Sequence, residues 1–153
     1  MCEHCGCWEL GAVRDLHGDH LTILDACGRL SDALTGAAGS EAVRVAHRAL
    51  LDLLDRHERA EERGIYQEVA RDAPEYIANL LAEHGEIGHL VRPPAGGAVS
   101  PDALRRGIAG LQRHIFTEEQ DLFPYAYQIL SHEQWDAVDA ARAAAAAGDG
   151  VRR

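Results

Sequence analysis

Apolar residues recur at helical spacing in four long stretches of the chain, and β-branched residues are sparse. The first stretch runs from about Leu10 to Leu34, with Leu16, Ile23, Leu24, Ala26, Cys27, Leu30 and Leu34 on one stripe. Gly36-Ala37-Ala38-Gly39 breaks it, and Ser40 is placed to cap a second helix carrying Val43, Ala46, Leu50, Leu53, Leu54 and Ile65. Gly64 weakens that helix without having to stop it. Asp72-Ala73-Pro74 closes the second helix and opens the third, with Asp72 as a cap and Pro74 in the first turn. The third stripe holds Ile77, Leu80, Leu81, Ile87 and Leu90, and Pro93-Pro94-Ala95-Gly96-Gly97 forms a loop. Ser100-Pro101 starts a fourth helix that reaches about Leu130, with a kink expected before Pro124. Ser131 and Gln134 have the spacing of a capping box for a short fifth helix, expected to pack across one end of the fold through Trp135.

Four long helices with short links predict an all-α fold, an antiparallel up-down four-helix bundle with a short fifth C-terminal helix. The expected organisation is a Cys-rich segment over 1–9, the bundle over 10–147 and a mobile tail over 148–153. Abundant Ala, Leu, Glu and Arg agree with helices, and 153 residues suit one core.

On the polar side of this pattern stands an internal repeat. Arg56-His57 is followed by Glu61-Glu62 and then Ile65-Tyr66, and Arg113-His114 by Glu118-Glu119 and then Leu122-Phe123. The other two helices share acid-His-x-x-Ile, as Asp19-His20…Ile23 and Glu83-His84…Ile87. Two similar halves imply approximate two-fold symmetry. Residues four apart lie on one helix face, so His57 with Glu61, and His114 with Glu118, can aim at one spot. An imidazole and a carboxylate on an otherwise apolar face must be paired or ligated, since unpaired burial is costly. One such pair is usually a surface pair. Two in matching apolar frames, with His20 and His84 in equivalent places, point to a metal site for iron, manganese or zinc. Two carboxylates can bridge two cations, and the remaining charge calls for an oxo, hydroxo or water bridge.

The phrases HERAEERGIY and HIFTEEQDLFP, with the order of all four helical elements, resemble the hemerythrin-like (HHE cation-binding) family over nearly the whole chain. The resemblance implies a non-haem di-iron centre held by His20, His57, Glu61, His84, His114 and Glu118, with the two glutamates bridging. It implies chemistry with peroxide, O2 or NO, as peroxide decomposition or other oxidative turnover, as sensing or binding without turnover, or as iron storage. Oxygen carriers of this family have two histidines four apart on the third helix, and here position 88 is Gly. They also place Asp five residues after the fourth helix's histidine, where this chain has Glu119. Both departures turn the expectation from oxygen transport towards redox chemistry. His89, His17 and Glu58 are further ligand candidates. Glu62 and Glu119 either orient ligands or lie on an exposed face. Tyr66 and Phe123 are expected to fill core, His47 and His132 to lie at the surface. The rival ferritin-like arrangement needs Glu-x-x-His on two helices, and Glu86-x-x-His89 is its single match.

The start of the chain adds Cys2, His4, Cys5 and Cys7, which resemble the start of actinobacterial members of the family. They suit a second metal site, a thiol relay or a peroxide switch, or are the thiols of a flexible tail. Cys27 falls on an apolar stripe and is expected in the core. The net charge of −10 argues against nucleic acid and anionic membranes as partners. No apolar run reaches the length of a membrane span and no secretory signal is evident, so the expected location is the cytoplasm.

Overall fold

The computed structural model describes residues 10–36, 39–94 and 97–147. The Cys-rich segment and the tail beyond 147 lie outside the described residues. Among the described residues, seven α-helices and one π-helical turn follow in order: α1 (Gly11–Thr35), α2 (Ser40–Arg63), α3 (Ile65–Val69), α4 (Pro74–Val91), α5 (Pro101–Thr117), the π turn (Glu118–Leu122), α6 (Phe123–Ile129) and α7 (His132–Ala147). Among the described residues there is no strand. α2 with α3, and α5 with the π turn and α6, are the second and fourth long helices of an all-α bundle in which α1 packs on α2 and α5, and α4 on α5 and α2.

The buried side chains form two clusters, and these establish the direction of each helix. One holds Leu16, Ile65, Tyr66, Leu80, Leu122, Phe123 and Trp135. The other holds Ile23, Leu54, Ile87, Leu111 and Ile115. α1 passes from the first cluster (Leu16) to the second (Ile23), and α2–α3 returns from Leu54 to Ile65. α4 runs from Leu80 to Ile87, and the last helix returns from Leu111 to Leu122. The bundle is therefore up-down-up-down. In each helix the histidine sits at the crossing between the clusters, so the two-fold pattern of the sequence becomes one polar layer inside an apolar core.

Local signals were partly redirected. Ser100 caps α5 by accepting from the Ala103 amide at 3.2 Å. The Ser131–Gln134 capping box forms in both directions, at 3.0 and 3.3 Å. Ser40 is not a cap: Gly39 takes that position, and no side chain caps α2. Asp72 does not cap α4 either, because Ala73 stands there. Gly64 does break the second helix, with φ −108° and ψ −104°. A Cβ at Gly64 would stand 2.7 Å from the Ala60 carbonyl oxygen and 3.5 Å from Val138 and Ala141 of α7, so glycine is required by close approach. Ahead of Pro124, where a kink is expected, the helix makes a π turn, in which the Phe123 amide donates to the Glu118 carbonyl. Proline cannot donate and crowds the carbonyl four residues back, and the wider turn ahead of it relieves this.

The fifth helix departs most from expectation. α7 has 16 residues and lies along α2, α1 and α3 rather than across one end. Trp135 and Val138 join the first cluster, while Ala145 and Ala146 reach the level of His57. Leu81, placed on the third stripe by its spacing, is exposed.

Candidate metal centre

His20, His57, Glu61, His84, His114 and Glu118 are all buried in the polar layer. They form two overlapping groups, His20-His57-Glu61-Glu118 and Glu61-His84-His114-Glu118, each offering ligand atoms within 4.8 Å of one another. Glu61 stands between the groups. Its Oε1 is 3.1 Å from His57 Nε2 and 3.5 Å from His20 Nε2, and its Oε2 is 3.6 Å from His84 Nε2. Glu118 Oε2 lies 3.2 Å from His20 Nε2 and 3.5 Å from His114 Nε2. The imidazoles pair edge to face, His20 with His57 at 4.7 Å and His84 with His114 at 4.6 Å between centroids.

Local geometry explains the convergence. His57 and Glu61 are one turn apart on α2, and His114 and Glu118 one turn apart across the end of α5. The partners from α1 and α4 arrive from neighbouring helices at the same depth, because apolar residues on both sides fix the register of each helix.

An outer ring of carboxylates orients the imidazoles. His20 Nδ1–H donates to Glu119 Oε1 at 2.8 Å, His84 Nδ1–H to Glu62 Oε1 at 3.0 Å and His114 Nδ1–H to Glu83 Oε2 at 2.7 Å. The fourth acid, Asp19, has its Oδ2 3.9 Å from His57 Nδ1, beyond hydrogen-bond reach. The three bonds run in one sense around the bundle: Glu62 of the second helix serves the third, Glu83 of the third serves the fourth, and Glu119 of the fourth returns to the first, while Asp19 of the first faces the second without bonding it. An ionised carboxylate only accepts, so each bonded Nδ1 carries the proton and the Nε2 lone pair faces inward, as a metal ligand requires. Glu62 and Glu119 thus take the orienting place.

Burial makes this arrangement costly without a cation. His20 Nε2, His57 Nε2, both Glu61 carboxylate oxygens and Glu118 Oε2 are buried without a hydrogen-bond partner. Such atoms carry an uncompensated desolvation cost. A cation between each histidine pair and the glutamates would satisfy them together, so the donor set fits two metal ions. In the metal-free chain protons take that part. Burial alone would lower the pKa of His57, but the Glu61 charge, with the nearby Asp19 carboxylate, raises it to about 9. His20 is also raised well above its ordinary value, by Glu118, Glu119 and Glu61 against burial. The carboxyl of Glu61 is held well below its ordinary range, its burial outweighed by His57 and His20.

The remaining candidates fall elsewhere. His17 donates to Glu119 Oε1 at 2.7 Å, one shell out from His20, and is in neither group. Glu58 is paired with Arg92 at 2.6 Å and is in neither group. His89 is exposed, in a surface groove with Glu58, Glu62 and Arg92. No extra turn in α4 brings it inward, since the helix is regular from Pro74 to Val91. Cys2, His4, Cys5 and Cys7 lie outside the described residues. Cys27 is fully buried, and His132 is exposed. His47 is part of the packing, its Nε2–H donating to the Val91 carbonyl at the end of α4 at 2.6 Å.

Tyr66 is the residue whose place was misjudged. It is buried as expected, but its hydroxyl donates to Glu118 Oε1 at 2.7 Å and lies 3.3 Å from His84 Nε2 and 3.4 Å from His114 Nε2. Its ring stacks on His84 at 5.4 Å, as its repeat partner Phe123 stacks on His20 at 5.6 Å. The repeat was the available signal: two aromatics at equivalent positions, of which one carries a hydroxyl. Burial and the charges of Glu118 and Glu61 keep that hydroxyl protonated far above its ordinary pKa.

The family model of the hemerythrin HHE cation-binding domain matches residues 11–126. The chain belongs to this family and is a metal-binding, hemerythrin-like protein. No curated protein and no solved structure gives a significant match. No helix among the described residues is long and apolar enough to cross a membrane.

Proposed function

We propose that this member of the hemerythrin HHE cation-binding family is a non-haem di-iron protein that decomposes hydrogen peroxide. His20 and His57 would hold one iron, His84 and His114 the other, and Glu61 and Glu118 would span both. The observation that carries the reading is Glu61, whose two carboxylate oxygens are buried without hydrogen-bond partners between two pairs of inward-facing imidazoles. A bound iron pair would supply the redox capacity to reduce one peroxide to water and oxidise another to O2, and zinc would not.

The chain's own groups supply the rest. Glu62, Glu83 and Glu119 hold three imidazoles in the tautomer that presents Nε2. Phe123 and Tyr66 bound the layer on the side of the first cluster, and Ile23, Leu54, Ile87 and Leu111 on the side of the second. Tyr66 holds a proton at its hydroxyl and donates a fixed hydrogen bond to Glu118 Oε1, which sets that carboxylate's orientation. Four histidines and two glutamates make a carboxylate-rich set with no place for a second α4 histidine at Gly88. That set favours the ferric state and turnover over a reversible oxygen adduct.

The test is stopped-flow mixing of the iron-loaded, reduced protein with hydrogen peroxide, with O2 release followed on an electrode. The reading expects multiple turnovers without iron loss, one O2 appearing for every two peroxides. A stable adduct with O2, and no turnover of peroxide, would overturn it in favour of binding or sensing.

A further inference from the structure

Three of the four imidazoles in the polar layer have a carboxylate at hydrogen-bond distance on Nδ1, and His57 does not. Asp19, the acid that the repeat assigns to His57, is drawn off by Arg142 of α7, whose Nη1 donates to Asp19 Oδ2 at 3.0 Å. That same oxygen stands 3.9 Å from His57 Nδ1, and Nδ1 is buried without a partner. Arg142 is anchored further by Asp15, at 3.7 Å. Between them lies a cavity of about 140 Å3 lined by Asp19, His57, Arg142, Ala145 and Ala146, among others. The carboxylate therefore has room to move towards the imidazole. α7 spans His132–Ala147, beyond residues 11–126 that match the family domain. The equivalent acid on the third helix, Glu83, does close on its histidine, at 2.7 Å.

We propose that Arg142 is a positioning residue that holds Asp19 away from His57, so that the C-terminal helix makes the two metal positions unequal and the His20–His57 position the weaker one. The inference rests on the ligand assignment above. An Nδ1–H bonded to a carboxylate makes the imidazole a more basic and better-oriented ligand, and such partners are worth roughly 10–100-fold in metal affinity. His57 lacks that gain while α7 is docked. Release of Arg142 supplies it, by letting Asp19 take the place that Glu83 holds on the other side.

The experiment follows imidazole 15N and Nδ1–H signals of the full chain by NMR at buffered free Zn(II), a diamagnetic probe of both positions. In the wild type, His57 should fill at higher free Zn(II) than His114. In Arg142→Gln its midpoint should fall roughly tenfold, with a downfield shift of the Nδ1 proton as the Asp19 bond forms. Arg142→Lys should retain the wild-type midpoint, and Arg142→Gln combined with Asp19→Asn should return to it. An unchanged or raised midpoint in Arg142→Gln, or a fall that survives Asp19→Asn, would overturn the proposal. Should Arg142→Gln fail to fold, the pseudo-symmetric pair decides. Asp19→Asn should leave the His57 midpoint within about twofold, while Glu83→Gln raises that of His114 by tenfold or more, and equal losses would overturn the proposal. Wild-type imidazoles that ignore Zn(II) altogether would defeat the ligand assignment as well, which separates that failure from this one.

Discussion

Glu119 accepts the Nδ1–H of His20 at 2.8 Å, while its neighbour Glu118 faces Nε2 of the same imidazole at 3.2 Å. Consecutive residues thus grip opposite edges of one ring. Glu61 and Glu62 do the same to His84 from the regular α2, at 3.6 Å to Nε2 and 3.0 Å to Nδ1, whereas Glu118 and Glu119 do so from a π turn. Glu119→Gln retains size but weakens the acceptor. Metal affinity at the His20 position should fall by about tenfold or more, read by chelator competition, with helicity unchanged. An unaltered affinity would remove Glu119 from the site.

Tyr66→Phe removes the hydroxyl and leaves Glu118 Oε1 without its buried donor. The metal-free protein should lose about 1–3 kcal/mol of stability, measured by urea unfolding. Peroxide turnover of the iron-loaded protein should fall more than its iron content does. A variant with full turnover would show that the hydroxyl is structural only.

Gly64→Ala forces a Cβ against the Ala60 carbonyl at the junction of α2 with α3. Tyr66 and α7 both depend on that junction. A loss of about 1–3 kcal/mol is expected, and a melting temperature equal to the wild type's would contradict the required close approach.

The stability of the metal-free protein should depend on pH through His57. Its folded pKa of about 9 lies above the ordinary 6.5, so the folded state binds the extra proton between those values. That contribution is fully present below about pH 6.5 and is lost as pH rises through about 9. Thermal melts should therefore fall across this window in the metal-free protein and less so when metal has replaced the proton. A melting temperature that rises over the same window would contradict the assignment.

Cys27 is fully buried in the second cluster, and burial pushes its thiol up to about 11. In a chain with Cys2, Cys5 and Cys7 replaced by Ser, a disulfide reagent at neutral pH should find no reactive thiol until the protein is unfolded. Rapid labelling of the native chain would place Cys27 outside the core.

How far these features were legible in the sequence follows from what each depends on. The four stripes, the repeat and the convergence of six side chains depend on period and spacing, which Leu54-x-x-His57-x-x-x-Glu61 displays directly. Ser100 and the Ser131–Gln134 box were readable for the same reason, since a cap is local. Ser40 and Asp72 were not, because neighbouring residues compete for the cap and tertiary packing chooses among them. The outer acids were visible only as an ambiguity. Glu62 and Glu119 could face solvent or a histidine, and the partner is on another helix. The course of α7 was hidden because its alanines carry little directional pattern. Its hydrogen bond to Asp19 comes from Arg142, which is 123 positions distant in the chain.

The central claim is that six buried side chains hold two cations and that Glu61 belongs to both positions. Its most direct test is anaerobic Fe(II) titration of the metal-free wild type and of Glu61→Ala, with iron counted per chain and helicity checked in both. The account predicts two irons in the wild type and fewer than one tightly held in Glu61→Ala. Two tightly held irons in the folded Glu61→Ala variant would contradict it.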